Sequence, residues 1–178
     1  MTLPDAYLKI PLVRANLVQG KASTFVDAAG SSRGISNSID RDRLLALREL
    51  ADVVVTDGET ARLEKYRVPL ACDLAVITRI GFRPTPGKSE HLYIELNKSP
   101  QEALADLVSR GYERILLEAG PTVVRSLIAA DLIDELCLTN TQGSAPNLLS
   151  LGIENAKLLF SQEIGDTSFS VWSEIQGV

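Results

Sequence analysis

Short runs rich in β-branched residues alternate with amphipathic helical runs along the first 130 residues of the chain. This alternation restricts the fold more than any other feature, because a strand, a helix and a second strand together form a βαβ unit with parallel strands. A parallel sheet is normally covered by helices on both faces. The pattern therefore predicts an α/β domain with a largely parallel sheet.

Eight segments have the length and composition of strands. They are residues 12–17, 53–56, 74–78, 92–95, 115–118, 136–140, 157–164 and 168–175. No helical pattern separates the segments after residue 134, so the last strands should join one edge of the sheet in antiparallel orientation. We expect a single domain over residues 1–178 with a mixed sheet.

Three helices are indicated by their termini and their apolar spacing. Residues 40–50 place leucines on one face, and residues 121–130 begin with a proline. Between them, Ser99-Pro100-Gln101-Glu102 is a capping box with proline at the first helical position, and Gly111 ends that helix. Loops are expected over residues 28–38, 81–89 and 143–147, which are rich in glycine, serine and proline.

Charge and composition exclude several classes of protein. With 18 basic and 23 acidic side chains the net charge is −5, which argues against nucleic acid as a partner. No apolar stretch is long enough to span a membrane, and residues 1–14 lack the features of a targeting peptide. A cytoplasmic location is expected.

The cysteines and the single histidine give no indication of a metal or nucleophile site. Cys72 and Cys137 are far apart in apolar surroundings, which is typical of buried thiols. His91 precedes a strand-like run and is expected at the surface or on an edge strand. With one histidine, neither a histidine-rich metal site nor a Ser/His/Asp arrangement can be assembled.

Ligands of α/β sheets bind at the carboxyl ends of strands, beside helix N-termini. Three strand-to-helix junctions qualify, at residues 36–43, 56–62 and 118–124. The third could bind an anion through its free amides, but it could equally be a tight turn before a proline-initiated helix. The spacing in the second junction favours an Asp-Gly turn before a short helix. Neither a Walker A sequence nor Gly-x-Gly-x-x-Gly is present.

The first junction includes Arg41 and Arg48, which are seven residues apart and share a helix face. An arginine on a buried helix face requires a partner, which is a carboxylate or the phosphate of a ligand. A solvated ion pair is the more frequent case. We expect Arg48 to pair with Glu118 or a neighbouring carboxylate when no ligand is bound.

These junctions resemble the reductase domain of riboflavin biosynthesis. Residues 47–55 followed by Thr60 are similar to that family's "LRA-x-AD" step, its strand and its "G-x-G-T" turn. Residues 116–122 are similar to its "E-G-G-P-T" motif, and residues 132–136 to the "LVDEL" segment that follows. The motifs occur in the family's order from about Arg14 to Leu138.

The resemblance implies a three-layer fold like that of dihydrofolate reductase, with helices on both faces of the mixed sheet. It also implies hydride transfer from NADPH to the ribose carbon of a phosphoribosylamino-pyrimidine. The nicotinamide supplies the hydride, so the protein needs only to bind, orient and exclude water. A homodimer is expected, and Phe160, Phe169 and Trp172 would add apolar area to C-terminal strands that must be paired or covered.

Positions that match the family's motifs are the expected site residues, and none of them is assigned a catalytic role. The expected substrate contacts are Ser32, Arg48 and Glu118. The expected cofactor contacts are Thr60, Glu64, Thr78, Gly120, Pro121, Thr122, Val123 and Val124. The amides of residues 120–122 should lie free at the start of a helix and receive the cofactor's diphosphate.

The chain departs from the family pattern at three places. The family's "S-L-D-G" corresponds to Gln-Gly-Lys-Ala-Ser at residues 19–23, unless Asp27 supplies the aspartate from a shifted register. The "G-x-G-T" turn contains Asp57 and Glu59, and Ala119 replaces a glycine. A carboxylate about 5 Å from a diphosphate costs roughly 3 kcal/mol, or about two orders of magnitude in affinity. Two functions stay open: an active reductase, and a catalytically silent binding or assembly module.

Overall fold

The computed structural model describes residues 3–9, 12–68, 71–82 and 91–177. The strands are β1 (Val13–Gln19), β2 (Val53–Asp57), β3 (Asp73–Thr78), β4 (Leu92–Leu96), β5 (Ile115–Leu117), β6 (Glu135–Asn140), β7 (Ile153–Ile164) and β8 (Thr167–Gly177). The helices are α1 (Asp5–Leu8), α2 (Ser38–Leu50), α3 (Gly58–Leu63), α4 (Pro100–Ser109) and α5 (Pro121–Ile128).

All these strands form one sheet in the order β4-β3-β2-β5-β1-β6-β8-β7. The strands from β1 to β6 pair in parallel, whereas β8 is antiparallel to both β6 and β7. The predicted mixed sheet with antiparallel C-terminal strands is therefore confirmed. The ends of the elements differ from the predicted ones by a few residues, and the short helix α1 was not predicted.

Helices cover both faces of the sheet, as expected, because the side chains of each strand alternate between two cores. In β2, Val53 and Val55 pack in one apolar cluster with residues of α4 and α5. Val54 packs in the other cluster with residues of α1, α2 and α3. This alternation is the period of two that a strand buried on both faces requires.

The predicted helix termini hold with small shifts. Asn37 caps α2, so the helix begins two residues before the predicted start. The capping box of α4 is present, with the Glu102 amide donating to the Ser99 hydroxyl at 3.2 Å and the Glu102 carboxylate accepting from the Ser99 amide at 2.8 Å. Gly111 has φ of +93°, the left-handed region that glycine adopts freely. Most of the predicted loop at 81–89 lies outside the described residues.

One of the three aromatic side chains expected to add apolar area to the C-terminal strands is buried. The expectation for Phe169 was wrong, because this residue is only 1% exposed. The centre of its ring lies 3.7 Å from the guanidinium carbon of Arg43. On the edge strand β7, Leu158 and Leu159 are exposed instead. The homodimer stays a prediction, which sedimentation at micromolar concentration would test.

The cysteines and the histidine lie as the sequence suggests, with one difference. Cys137 is buried, whereas Cys72 is only half-buried, and both thiols are free. His91 is exposed at the start of β4, with Nδ1 2.7 Å from a carboxylate oxygen of Asp73. Within the described residues, no cluster of acidic, histidine and cysteine side chains could hold a metal ion, and no helix has the length and apolarity to cross a membrane.

Candidate functional site

A cleft opens at the carboxyl ends of the central strands β1, β2 and β5. Residues 16–18 of β1, Asp40 and Leu44 of α2, and residues 118–121 after β5 line it, together with parts of the loop before α2. Its volume is about 120 Å³. Small-molecule sites usually measure about 300–1,000 Å³. The cleft alone can therefore enclose only one small group of a ligand.

Arg48 and Glu118 form a bidentate ion pair beside this cleft. Nε and Nη2 of Arg48 donate to the two carboxylate oxygens of Glu118 at 2.8 and 2.6 Å. Arg48 lies in the last turn of α2, and Glu118 directly follows β5, where its amide donates to the Val55 carbonyl. The two side chains are 20% and 4% exposed. The pairing that the sequence predicts is confirmed.

Tyr66 completes this group of side chains. Its hydroxyl donates to Oε2 of Glu118, and its ring centre lies 5.2 Å from the guanidinium carbon of Arg48. Burial and then the charge of Glu118 raise the pKa of Tyr66 well above its usual value, so the hydroxyl stays protonated. Burial lowers the pKa of Arg48, but the hydrogen bonds and charge of Glu118 outweigh burial and raise it overall. Glu118 thus has a second donor besides Arg48.

A basic groove adjoins the cleft, and Arg48 lines it. The groove has a volume of about 930 Å³. Its charged lining residues are Arg33, Arg41, Arg48, Lys65, Arg67 and Glu64. Within the part of the chain that the structure describes, Arg41, Lys65 and Arg67 form no ion pair. Although the chain has a net charge of −5, this groove is locally positive and suited to an anionic ligand.

Ser32 and Glu64 contact each other at the boundary between cleft and groove. Oε1 of Glu64 accepts hydrogen bonds from the amide and hydroxyl of Ser32 at 2.8 and 3.1 Å, and from the Ser31 hydroxyl at 2.8 Å. Nε of Arg33 donates to Oε2 at 2.9 Å. Burial raises the pKa of Glu64, but these hydrogen bonds outweigh burial and lower it. One expected substrate residue and one expected cofactor residue are therefore bound to each other.

The carboxylate of Asp57 occupies the turn where α5 begins. Asp57 ends β2 and caps α3, because its Oδ1 accepts from the amides of Glu59 and Thr60 at 3.0 and 2.8 Å. Its Oδ2 accepts from the Thr60 hydroxyl and from the Gly120 amide, both at 2.7 Å. One carboxylate thus joins the N-termini of two helices.

The expectation that the amides of residues 120–122 lie free was wrong for Gly120. Strands β2 and β5 are hydrogen-bonded neighbours, so the side chain at the end of β2 reaches the turn that follows β5. Because the Gly120 amide already donates to Asp57, a second anion placed there would lie against a carboxylate. With Asp57 in this position, the turn does not fit a cofactor diphosphate. Glu59, by contrast, is exposed and does not line the cleft.

Of the other expected cofactor residues of α5, one lines the cleft and three do not. Pro121 lines the cleft, whereas Thr122 is exposed outside it. Val123 packs partly against the apolar core, and Val124 is fully buried within it. The side chains of these two valines therefore hold α5 on the sheet.

Thr78, expected at the cofactor, supports the start of α3. Its side chain is buried, and its hydroxyl donates to the Ile80 carbonyl. A Cβ atom added to Gly58 would lie 2.5 Å from the Thr78 hydroxyl oxygen. Gly58 is therefore required for the first turn of α3 to pack against β3.

Sequence reasoning did not identify Asp40 and Tyr66, although both line the cleft. Asp40 is buried and accepts a hydrogen bond from the Ser36 hydroxyl at 2.6 Å. Burial raises the pKa of Asp40, against the lowering by hydrogen bonds from Ser36 and Thr139. Asp40 lies eight residues before Arg48 on the same face of α2, and this spacing could have indicated it.

The carboxylate that the family pattern places near the end of β1 has no counterpart among the described residues of the cleft. Asp27 holds its own loop instead, accepting from the amides of Ala29, Ser31 and Gly34. Gln19 is fully buried, and its Oε1 accepts from the Asn140 side chain at 2.9 Å. The shifted-register alternative for Asp27 is therefore not supported.

Comparison with solved structures shows the same fold in reductase-like proteins. A pyrimidine reductase-like protein from Corynebacterium diphtheriae is 19% identical, with a TM-score of 0.74 over 97% of this chain and 95% of that chain. The riboflavin biosynthesis reductase Rib7 of Saccharomyces cerevisiae is 12% identical, with a TM-score of 0.56 over 97% and 92%. No curated protein sequence matches.

A two-activity protein from Thermotoga maritima, a diaminohydroxyphosphoribosylaminopyrimidine deaminase and 5-amino-6-(5-phosphoribosylamino)uracil reductase, has the same fold over part of its length. It is 13% identical, with a TM-score of 0.68 over 92% of this chain and 56% of that chain. The family model of the RibD C-terminal domain matches residues 23–166, which is most of this chain. The chain therefore belongs to the family of the RibD C-terminal domain.

Proposed function

We propose that this protein reduces a phosphoribosylamino-pyrimidine of the riboflavin pathway, with NADPH as the hydride donor. Its membership of the RibD C-terminal domain family supports a reductase. The name of the T. maritima relative supports a substrate of the 5-amino-6-(5-phosphoribosylamino)uracil type. The observation that carries the proposal is the basic groove, which is continuous with the cleft.

The two spaces suit the two parts of such a substrate. The small cleft encloses a planar ring, and the positive groove receives the phosphate ester. Arg48 lines the groove while Glu118 lines the cleft, so their ion pair lies at the junction. The planar guanidinium fits paired oxygen acceptors, so a phosphate or a uracil carbonyl can replace Glu118 as its partner.

The cleft also contains a group that can hold a proton. Opening a ribose ring by reduction places a hydride on carbon and requires a proton on the ring oxygen. Asp40 is buried at the wall of the cleft, and burial is the main cause that raises the pKa of its carboxyl group. Because of this position in the cleft, we propose Asp40 as the group that supplies this proton.

A second candidate function is binding of a pyrimidine nucleotide without reduction. The observation that favours it is the Asp57 carboxylate on the Gly120 amide, because a diphosphate cannot use that amide while Asp57 does. Both candidates share the substrate site and differ only in the use of the cofactor.

The test combines turnover with binding. NADPH oxidation is followed with 5-amino-6-(5-phosphoribosylamino)uracil, and binding is measured with uridine 5′-monophosphate as an unreactive probe. Arg48→Ala should abolish turnover and leave NADPH affinity nearly unchanged, and Arg67→Ala should weaken the probe on the order of tenfold. Lys157→Ala is the matched control, because Lys157 is exposed on β7 and, among the described residues, pairs only with Glu174.

The outcomes separate the candidates. Probe binding that depends on Arg67, without NADPH oxidation at saturating concentrations of both ligands, would support binding without reduction. Probe binding that is absent, or equal in wild type and Arg67→Ala, would contradict the substrate site on which both depend.

A further inference from the structure

We propose that Asp57 is an internal anion that takes the place of a cofactor phosphate, and that this occupancy limits the affinity for a nicotinamide dinucleotide. The assignment rests on the proposed function, because it concerns the cofactor of the same site. It identifies one residue that determines cofactor affinity. The negative charge of the turn as a whole is a separate explanation that the structure does not favour.

The hydrogen bonds of Asp57 show that its carboxylate is fully used. It accepts two hydrogen bonds on each oxygen, from the amides of Glu59, Thr60 and Gly120 and from the Thr60 hydroxyl. A carboxylate has about four such acceptor positions. Within the described ranges, no basic side chain pairs with Asp57, so amides and a hydroxyl balance its charge. These are the donors that a bound phosphate would use at helix N-termini.

The space beside the Cα atom of Gly120 is bordered by the same two side chains. A Cβ atom added to Gly120 would lie 3.4 Å from Oδ2 of Asp57 and 3.5 Å from the Thr60 hydroxyl oxygen. The start of α3 cannot move towards β3 to open the turn, because Gly58 already packs tightly against Thr78. A dinucleotide must therefore rotate the Asp57 side chain outward and break its hydrogen bonds before it can use the same amides.

Occupancy of the amides by Asp57 and charge repulsion of the diphosphate predict different effects of Glu59 on cofactor affinity. Asp57 and Glu59 each carry one negative charge in the same turn, so repulsion alone would give them similar effects on a diphosphate. Glu59 is exposed, and its side chain accepts no hydrogen bond from the turn. Occupancy therefore assigns the effect to Asp57 and almost none to Glu59.

Three variants test this difference. Asp57→Ser retains a side-chain cap for α3 but is too short to reach Gly120. Asp57→Asn retains the shape and removes the charge, and it offers one oxygen acceptor where the carboxylate offers two. Glu59→Gln is the matched control, because it removes the same charge from the same turn without freeing an amide.

Fluorescence titration with NADPH and calorimetry with inorganic pyrophosphate measure binding, and hydrogen exchange measures the Gly120 amide. Asp57→Ser and Asp57→Asn should bind NADPH more tightly than wild type, on the order of tenfold or more, since charge-assisted hydrogen bonds no longer have to be broken. The affinity for pyrophosphate should likewise be higher in both Asp57 variants than in wild type. The Gly120 amide should exchange faster in Asp57→Ser, and Glu59→Gln should change NADPH affinity by less than about twofold.

Two results would overturn the proposal. One is that NADPH binding does not tighten in either Asp57 variant, including the case in which none of the proteins binds it. The other is that Glu59→Gln tightens binding as much as Asp57→Asn, which would assign the effect to repulsion. If Asp57→Ser binds NADPH tightly but does not oxidise it with substrate, the proposed reductase fails while the role of Asp57 stands. If the wild-type protein oxidises NADPH with substrate and the Asp57 variants have an unchanged KM for NADPH, the proposed reductase stands and the role of Asp57 fails.

Discussion

The Arg48–Glu118 pair and the Asp57–Gly120 contact both involve the segment that follows β5, and their charges are balanced in opposite ways. In the first, two opposite side-chain charges meet, and Tyr66 provides Glu118 with an additional donor. In the second, a side-chain charge is balanced by backbone amides. In both regions a carboxylate already occupies the donor, so a ligand anion must displace it. At Arg48 the anion would meet a full positive charge, whereas at Gly120 it would meet a single backbone amide. A ligand anion therefore gains more by displacing the internal carboxylate at the ion pair than at the capped amide.

Breaking the first region should have the largest effect. Glu118→Ala leaves Arg48 and the Tyr66 hydroxyl without their shared partner in a mostly buried position. Loss of one member of a buried ion pair typically costs about 3–5 kcal/mol of unfolding free energy. Urea denaturation measures it, with exposed Glu59→Ala as the control that should change stability by less than about 0.5 kcal/mol. A loss below about 1 kcal/mol for Glu118→Ala would show that the pair is well solvated.

A substitution that disturbs the second region without touching a charge should have an intermediate effect. Gly58→Ala places a methyl group 2.5 Å from the hydroxyl oxygen of buried Thr78 and pushes α3 away from β3. Overpacking of this kind costs about 1–3 kcal/mol. Thermal or urea unfolding measures the loss, and the double variant with Thr78→Ala should recover part of it. If Gly58→Ala alone is as stable as wild type, α3 is not held against β3 as described.

Removing the auxiliary donor of the first region should have the smallest effect at neutral pH. Tyr66→Phe deletes the hydroxyl that donates to Glu118 but leaves the Arg48 pair, so the expected cost is about 1 kcal/mol. Urea denaturation at pH 7 compares this variant with wild type. Equal stability of the two proteins would mean that Glu118 does not depend on its second donor.

The same variant has a signature at alkaline pH. Burial raises the pKa of Tyr66 in the folded protein above the usual value of 10.0, so the folded form retains a proton that the unfolded chain loses. Stability from this group is present below about pH 10 and falls as the pH rises further. Wild type should therefore lose stability more steeply than Tyr66→Phe above pH 10, since the other groups with a raised pKa, two tyrosines and the two cysteines, are the same in both proteins. Parallel curves would contradict the raised pKa.

Much of the fold could be predicted because it depends on local patterns. The valines of β2 and the capping box at Ser99 indicate their elements within a few residues, since period, propensity and caps are short-range properties. The Arg48–Glu118 pair could also be predicted, because both positions match motifs of the resembling family. Neither Asp40 nor Tyr66 was found. The spacing of Asp40 from Arg48 on α2 could have indicated it, whereas a single tyrosine after α3 carries no local indication of burial.

The sequence by itself determined the mixed α/β sheet, the order of its elements and the family to which the chain belongs. Only the tertiary structure decided where Asp57 lies, because its contact with Gly120 joins residues 63 positions apart in the chain. The physical reason is the strand order: β2 and β5 are neighbours in space, although two strands and two helices of the described residues separate them in sequence. A carboxylate that reads as a turn residue in the sequence therefore becomes, in the folded protein, the internal occupant of a helix N-terminus.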